Sequence, residues 1–207
     1  ETLKEFDAFC REHGIVYYLG YGSLLGALRH KGFIPWDDDA DLWMDRANYA
    51  KLEQLMKGEY HQLTENVYVN LGMRPTLWAA PFADIDIFIL DESPKNKLLC
   101  LYKEIVCKFL YIMVKCRGRM DSKNRGPFKP YHILSPFTQA WKSAYERASK
   151  WHLGKSDKLQ SYNGVIREIG RKYPMSEDVW EPIEAEFEGN WLLIPKGWDK
   201  LLTMLYG

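Results

Sequence analysis

Gly20-Tyr21-Gly22-Ser23 closes a β-rich run at 15–19, and Asp37-Asp38-Asp39-Ala40-Asp41-Leu42 lies a short segment further on. Small residues at the end of a strand let backbone N–H groups approach an anion. A helix-forming segment at 24–28 follows, so a phosphate near Ser23 would also face a helix N-terminus. Pro35 resets the backbone, and 39–44 reads as the next strand. Side chains alternate along a strand, which puts Asp37, Asp39 and Asp41 on one face and Asp38, Ala40 and Leu42 on the other. This parity ranks Asp39 and Asp41 first as ligands for a divalent metal, with Asp37 as a third helper and Asp38 last. A glycine turn beside paired acids points to phosphoryl or nucleotidyl chemistry.

Two carboxylates leave such a site underdetermined, because Mg²⁺ is held by one or two of them plus substrate phosphates, and a two-metal site needs a further acid. Ala83-Asp84-Ile85-Asp86-Ile87-Phe88-Ile89-Leu90 supplies one. Acids interrupting so apolar a strand are paired or bind metal, and Asp86 lies deeper in the run than Asp84. A plainer reading stands beside this. A run of aspartates is commonly a solvated turn or a helix cap, and a lone Gly-Ser is a weak signal. The order strand, Gly-Ser, helix, acidic strand, second acidic strand favours the site, since it can gather these groups at one end of a sheet.

The stretch Tyr21-Gly22-Ser23-Leu24-Leu25-Gly26-Ala27-Leu28-Arg29-His30-Lys31-Gly32-Phe33-Ile34-Pro35-Trp36-Asp37-Asp38-Asp39-Ala40-Asp41 closely resembles the signature of the LicD family. That family includes bacterial phosphocholine transferases and is related to fukutin and fukutin-related protein. Ile85-Asp86-Ile87-Phe88 is similar to the family's Asp-Ile-Phe strand, with Ile89 where proline is common. Phe187-Glu188-Gly189, Ile194-Pro195-Lys196-Gly197-Trp198-Asp199 and Leu205-Tyr206-Gly207 are similar to its closing segment.

The resemblance implies an α+β fold: a nucleotidyltransferase-like mixed β-sheet flanked by helices, with a mainly helical C-terminal half. One domain would span 1–207, with a catalytic α/β core at 1–92 and a mainly helical part with a C-terminal hairpin at 93–207. It implies transfer of phosphocholine or a related phospho-alcohol from a CDP-linked donor, such as CDP-choline or CDP-ribitol, to a sugar hydroxyl of a cell-surface glycan (lipopolysaccharide, teichoic acid or capsule). Asp39, Asp41 and Asp86 would be catalytic and, with Asp37, would hold Mg²⁺ or Mn²⁺. Asp86 is the first candidate to accept the acceptor's proton. Gly22 and Ser23 would meet phosphate, as would Arg29 by a bidentate contact and Lys31 as a point charge. The alternative for Arg29, His30 and Lys31 is a basic cluster complementing a helix C-terminus. Trp36 is expected to pack under the acidic strand, with stacking on a base or sugar as the alternative.

A chain of 207 residues, 46% hydrophobic, can bury a sizeable core. Basic and acidic residues balance at 28 each, so no nucleic-acid partner is implied. Cys10, Cys100, Cys107 and Cys116 show no Cys-x-x-Cys pair and read as reduced thiols. No signal peptide is read at the start of this sequence, which begins at Glu1 rather than Met, and the thiols are expected to fit a cytoplasmic setting, extending to the inner face of a membrane. The apolar segment 95–116 carries Lys103, Glu104 and Lys108. It reads first as a helix packed on the sheet and second as one lying on a membrane. Residues 118–130 read as a basic loop.

Further expected elements are helices at 3–13, 47–56, 135–150, 157–172 and 196–205, strands at 60–64, 67–71, 76–80 and 84–90, and a hairpin turning at Gly189-Asn190. Two other functions would use or inherit the same residues: a nucleotidyltransferase that adds NMP to a small molecule and releases pyrophosphate, and a non-catalytic binding module of the same fold.

Overall fold

The structure, a computed structural model, describes residues 1–37, 39–56, 60–62, 67–70, 76–79, 83–121, 138–152, 158–162 and 175–207. Asp38, most of the basic loop at 118–130 and the second part of the expected 157–172 helix lie outside them. The helices are α1 (Thr2–Glu12), α2 (Tyr21–His30), α3 (Arg46–Leu55), α4 (Lys97–Asp121), α5 (Thr138–Lys150) and α6 (Trp198–Tyr206). Strands β1 (Tyr18–Leu19), β2 (Ala40–Asp45), β3 (Tyr60–Gln62), β4 (Val67–Asn70), β5 (Thr76–Ala79) and β6 (Ala83–Glu92) form one sheet in the order β1-β2-β6-β5-β4-β3. β7 (Lys158–Ser161) pairs with β6, and β8 (Met175–Ser176) with β7, while β9 (Pro182–Phe187) and β10 (Asn190–Pro195) make a separate hairpin. The α+β expectation agrees with this mixed architecture.

Parallel pairing between β2 and β6 is the feature that organises the sheet; the other paired strands run antiparallel. β2 and β6 carry long apolar runs because both of their faces are covered, and Leu42, Met44 and Ile87 are fully buried. α1 packs Leu3, Phe6 and Cys10 into the same core at helical spacing, and Gly14 ends it with φ of 60°. Each such side chain removed from water contributes roughly 1.5–3 kcal/mol. At the end of β2, Asp45 caps α3 by accepting from Asn48 N at 2.7 Å, and Asn48 Oδ1 accepts from Val16 N at 2.9 Å. Arg46 then forms a bidentate pair with Asp91 of β6, at 2.8 and 2.7 Å, fixing α3 to the sheet.

Three expectations are corrected. α2 starts at Tyr21 rather than Leu24, because Gly20 is still extended, with φ of −119°, and the chain turns at Tyr21, whose φ is 42°, so that Gly22 and Ser23 already lie in the first helical turn. The start of the expected 157–172 helix is strand β7, with Leu90 opposite Ser161 and Glu92 opposite Leu159, since the long β6 offers an open edge beyond β5. The hairpin turns at Glu188-Gly189, one residue earlier than expected. Both residues have positive φ, 49° and 70°, as the right-handed twist of a tight hairpin demands.

α4 is also turned differently from a helix that buries its apolar side on a sheet. It lies against α5 through Cys107, Leu110 and Tyr111, which cluster with Tyr145 and Tyr162. Its charged residues go inward: Lys103 is 1% exposed, donates to the Glu92 carbonyl at 2.6 Å and sits 4.3 Å over the Tyr162 ring. Glu104 and Lys108, both buried, pair at 3.4 Å. Among the described residues, no helix is long and apolar enough to cross a membrane.

Candidate active site

In the parallel ladder Asp41 stands opposite Asp86, so the two carboxylates project from neighbouring strands on the same face. Asp39, two residues before Asp41, shares that face. Carboxylate oxygens of Asp39, Asp41 and Asp86 lie within 4.8 Å of one another, with Asp39 exposed and the other two half-buried. Three acids this close repel unless something positive sits among them. Hard oxygen donors are the ligand type for Mg²⁺ or Mn²⁺, and oxygens on opposite sides of Mg²⁺ are about 4.2 Å apart. Small side-chain rotations would close this set on such an ion.

The first turn of α2 is pinned to the acidic strand. Gly20 N donates to the Asp41 carbonyl at 2.7 Å, and Asp41 N donates to Ser23 Oγ at 3.0 Å. Ser23 is buried, and its oxygen therefore serves β2 as an acceptor. The partial positive charge of the α2 N-terminus thus lies beside the acids. Asp37 stands outside the trio: a Cβ on Gly22 would run into its Oδ2, so the missing side chain of Gly22 is what lets Asp37 lie over the helix start. Gly20 is constrained likewise, with the Trp43 ring 3.1 Å from where its Cβ would be.

Tyr21, between these glycines, has φ of 42°, a left-handed conformation costly for an aromatic residue. Its ring lies 4.9 Å from both Trp43 and Phe88, which are themselves opposite each other in the β2–β6 ladder, one same-face row beyond Asp41 and Asp86. The acids therefore border an aromatic floor that excludes water on one side. Trp43 and Phe88 share the parity of the acids in the sequence, a signal that sequence reasoning passed over. No sequence signal marks the left-handed Tyr21.

Trp36 is corrected. It is 84% exposed and does not pack under the strand, because Asp37 N donates to the Ile34 carbonyl at 2.9 Å and the resulting turn at Pro35 lifts the indole into solvent. The basic residues sit away from the first turn of α2. Arg29 and His30 are exposed in its last turn, about 10 Å along the axis from Gly22 at 1.5 Å per residue. Lys31 takes a left-handed C-cap, φ 54°, and pairs with Glu186 of β9 at 2.8 Å.

The β9–β10 hairpin braces the segment leading to the acids, which the sequence did not disclose. Glu188 N donates to the Lys31 carbonyl at 2.8 Å, and Glu188 Oε1 accepts from Phe33 N at 3.1 Å. Phe33 stands edge-on to Phe187 at 4.9 Å. A Cβ on Gly32 would collide with the Glu188 carboxylate, so this contact depends on glycine there.

The family model described as LicD/FKTN/FKRP, nucleotidyltransferase domain, matches residues 14–73. Lipopolysaccharide cholinephosphotransferase LicD of Haemophilus influenzae is 48% identical over 229 residues, covering 99% of this chain and 86% of that protein. Ribitol 5-phosphate transferase FKRP of Homo sapiens is 48% identical over 59 residues, 28% of this chain and 12% of FKRP. An uncharacterized protein of Rickettsia typhi is 28% identical over 115 residues, covering 54% of this chain and 34% of the relative. The class to which this chain is related is that of the transferases, as both relatives with a named activity are. The chain belongs to the LicD family.

Proposed function

We propose that the protein moves phosphocholine or a related phospho-alcohol from a CDP-linked donor to a sugar hydroxyl of a cell-surface glycan, lipopolysaccharide being the first candidate. The observation that carries this reading is the convergence of Asp39, Asp41 and Asp86 across the β2–β6 ladder, in a chain 48% identical to a lipopolysaccharide cholinephosphotransferase. The order of strand, short glycine turn, helix and two acidic strands supports a nucleotidyltransferase-like site. Asp39, Asp41 and Asp86 would hold Mg²⁺ or Mn²⁺. Once bound, the divalent ion neutralises diphosphate charge and the charge building on the departing nucleotide.

In this reading the acceptor oxygen forms a bond to the phosphorus that carries the alcohol. The bond from that phosphorus to the bridging oxygen breaks, and CMP leaves with the electron pair. The hydroxyl proton passes to a carboxylate, Asp86 first, because it stands deepest in the apolar strand. Phosphate lies toward the α2 N-terminus, and the exposed Trp36 indole stacks on the base or a sugar ring. The dry row of Tyr21, Trp43 and Phe88 strengthens electrostatic contacts beside the acids.

The test is CMP release from CDP-choline and CDP-ribitol, with Mg²⁺ and glycan acceptors, by the protein and its Asp41→Asn and Asp86→Asn variants. Loss of at least a hundredfold in turnover with unchanged circular dichroism is expected for both variants, the usual scale for removing a catalytic acid or base. No CMP from any donor would remove the reading. Pyrophosphate from a nucleoside triphosphate would replace it with nucleotidyl transfer.

A further inference from the structure

We infer that the outward face of α4 docks the protein on an anionic membrane surface. Leu98, Leu101, Tyr102, Ile105 and Phe109 recur at helical spacing, and all five are exposed, Leu98 to 76%. The opposite face of the same helix buries Lys103, Glu104 and Lys108. That face also buries Cys107, Leu110 and Tyr111, so the helix is already packed on one side; its outward face in water would normally be polar, and this one presents an apolar stripe to something less polar than water. Trp151 stands edge-on to Tyr102 at 6.5 Å and extends the stripe with an amphipathic ring suited to a lipid interface, while Trp141, edge-on to Phe109 at 6.3 Å, backs the stripe from the inner cluster.

Charge selects the occupant. Leaving aside the buried Lys103, Glu104 and Lys108, residues 95–121 carry five basic residues and one acidic residue in a chain whose total charge balances. Exposed Lys95 and Lys97 lie at the start of the helix, and Lys115, Arg117 and Arg119 occupy its last turns, so both ends of the helix carry basic residues. A second copy laid face to face, parallel or antiparallel, would bring these basic ends together. Anionic lipid headgroups complement them. The helix is amphipathic and does not cross the bilayer, so it lies along the surface. This inference gains its purpose from the proposed glycan transfer, since a lipid-anchored acceptor is presented at a membrane, but its geometry stands independently of that reading.

Flotation of the protein with vesicles of phosphatidylcholine, with and without phosphatidylglycerol, tests it without donor or acceptor. Binding to the phosphatidylglycerol vesicles is expected, weakened by salt, and the Leu98→Asp/Ile105→Asp variant should lose on the order of tenfold in partitioning. Both positions are exposed, so the variant should keep its circular dichroism and its CMP release with a lipid-free acceptor. Ile105→Leu should float like the parent. Absence of flotation, flotation indifferent to Leu98→Asp/Ile105→Asp, or a dimer in sedimentation that Ile105→Asp dissolves would each overturn the inference. Any of these leaves the transfer reading standing, and a protein that floats yet releases no CMP separates the two in the other direction.

Discussion

Asp41 and Asp86 occupy directly paired positions on adjacent strands, where like charges destabilise a sheet by about 0.5–1 kcal/mol. Replacing Asp86 by Asn should therefore raise the melting temperature of the metal-free protein by about 2 °C while abolishing any rise produced by added Mg²⁺. Differential scanning fluorimetry with and without the ion reads both, and an Asp86→Asn protein still stabilised by Mg²⁺ would contradict the metal assignment. Gly26 decides a sign. Glycine to alanine within a helix ordinarily gains about 1 kcal/mol. Here the new methyl meets the Gly32 carbonyl, a backbone atom that cannot rotate aside. Gly26→Ala is expected to lose about 1–3 kcal/mol in urea unfolding instead. Lys103 is a third case: burial lowers its ammonium from 10.5 to about 8. The unfolded chain then binds more protons than the folded one between these values, so stability should rise as pH climbs from about 8 towards 10.5. Lys103→Met should flatten that rise, as measured by denaturant midpoints across this pH range.

Among the elements, those that carry the acids were legible because their chemistry is written in parity. β2 and β6 alternate, and an acid inside an apolar strand can be read without coordinates. The start of α2 was not legible, because Gly-Tyr-Gly-Ser looks like a turn until Tyr21 is seen to take a left-handed φ held by two aromatic rings. β7 was missed for another reason: Lys158-Leu159-Gln160-Ser161 has no β-branched or aromatic residue, and its strand state comes from the free edge of β6. The role of the β9–β10 hairpin depends on contacts far apart in sequence, which no local pattern carries. Glu188→Ala removes the acceptor for Phe33 N and should cost about 1–2 kcal/mol in stability. Because Glu188 touches the segment before the acids and none of the acids themselves, turnover should fall several-fold while the Mg²⁺ midpoint holds. A shifted midpoint with unchanged turnover would show that the hairpin acts on the ion site rather than on substrate positioning.

At the scale of the molecule, the α+β class and the acidic centre follow from the sequence, whereas the orientation of α4 does not. Its apolar residues suggested an inward face, and the buried Lys103, Glu104 and Lys108 reverse it because the Glu92 carbonyl and the Tyr162 ring offer the Lys103 ammonium a place inside. The β2–β6 ladder has a temporal consequence. Asp39 and Asp41 precede Asp86 in the chain with α3 and three strands between them, and long-range parallel pairing is slow. In the proposed metal reading, the three acids come together as an ion site only when that pairing closes. In stopped-flow refolding with Mn²⁺, the metal signal should lag the helical signal, which would make ion uptake a clock for the last long-range step of folding.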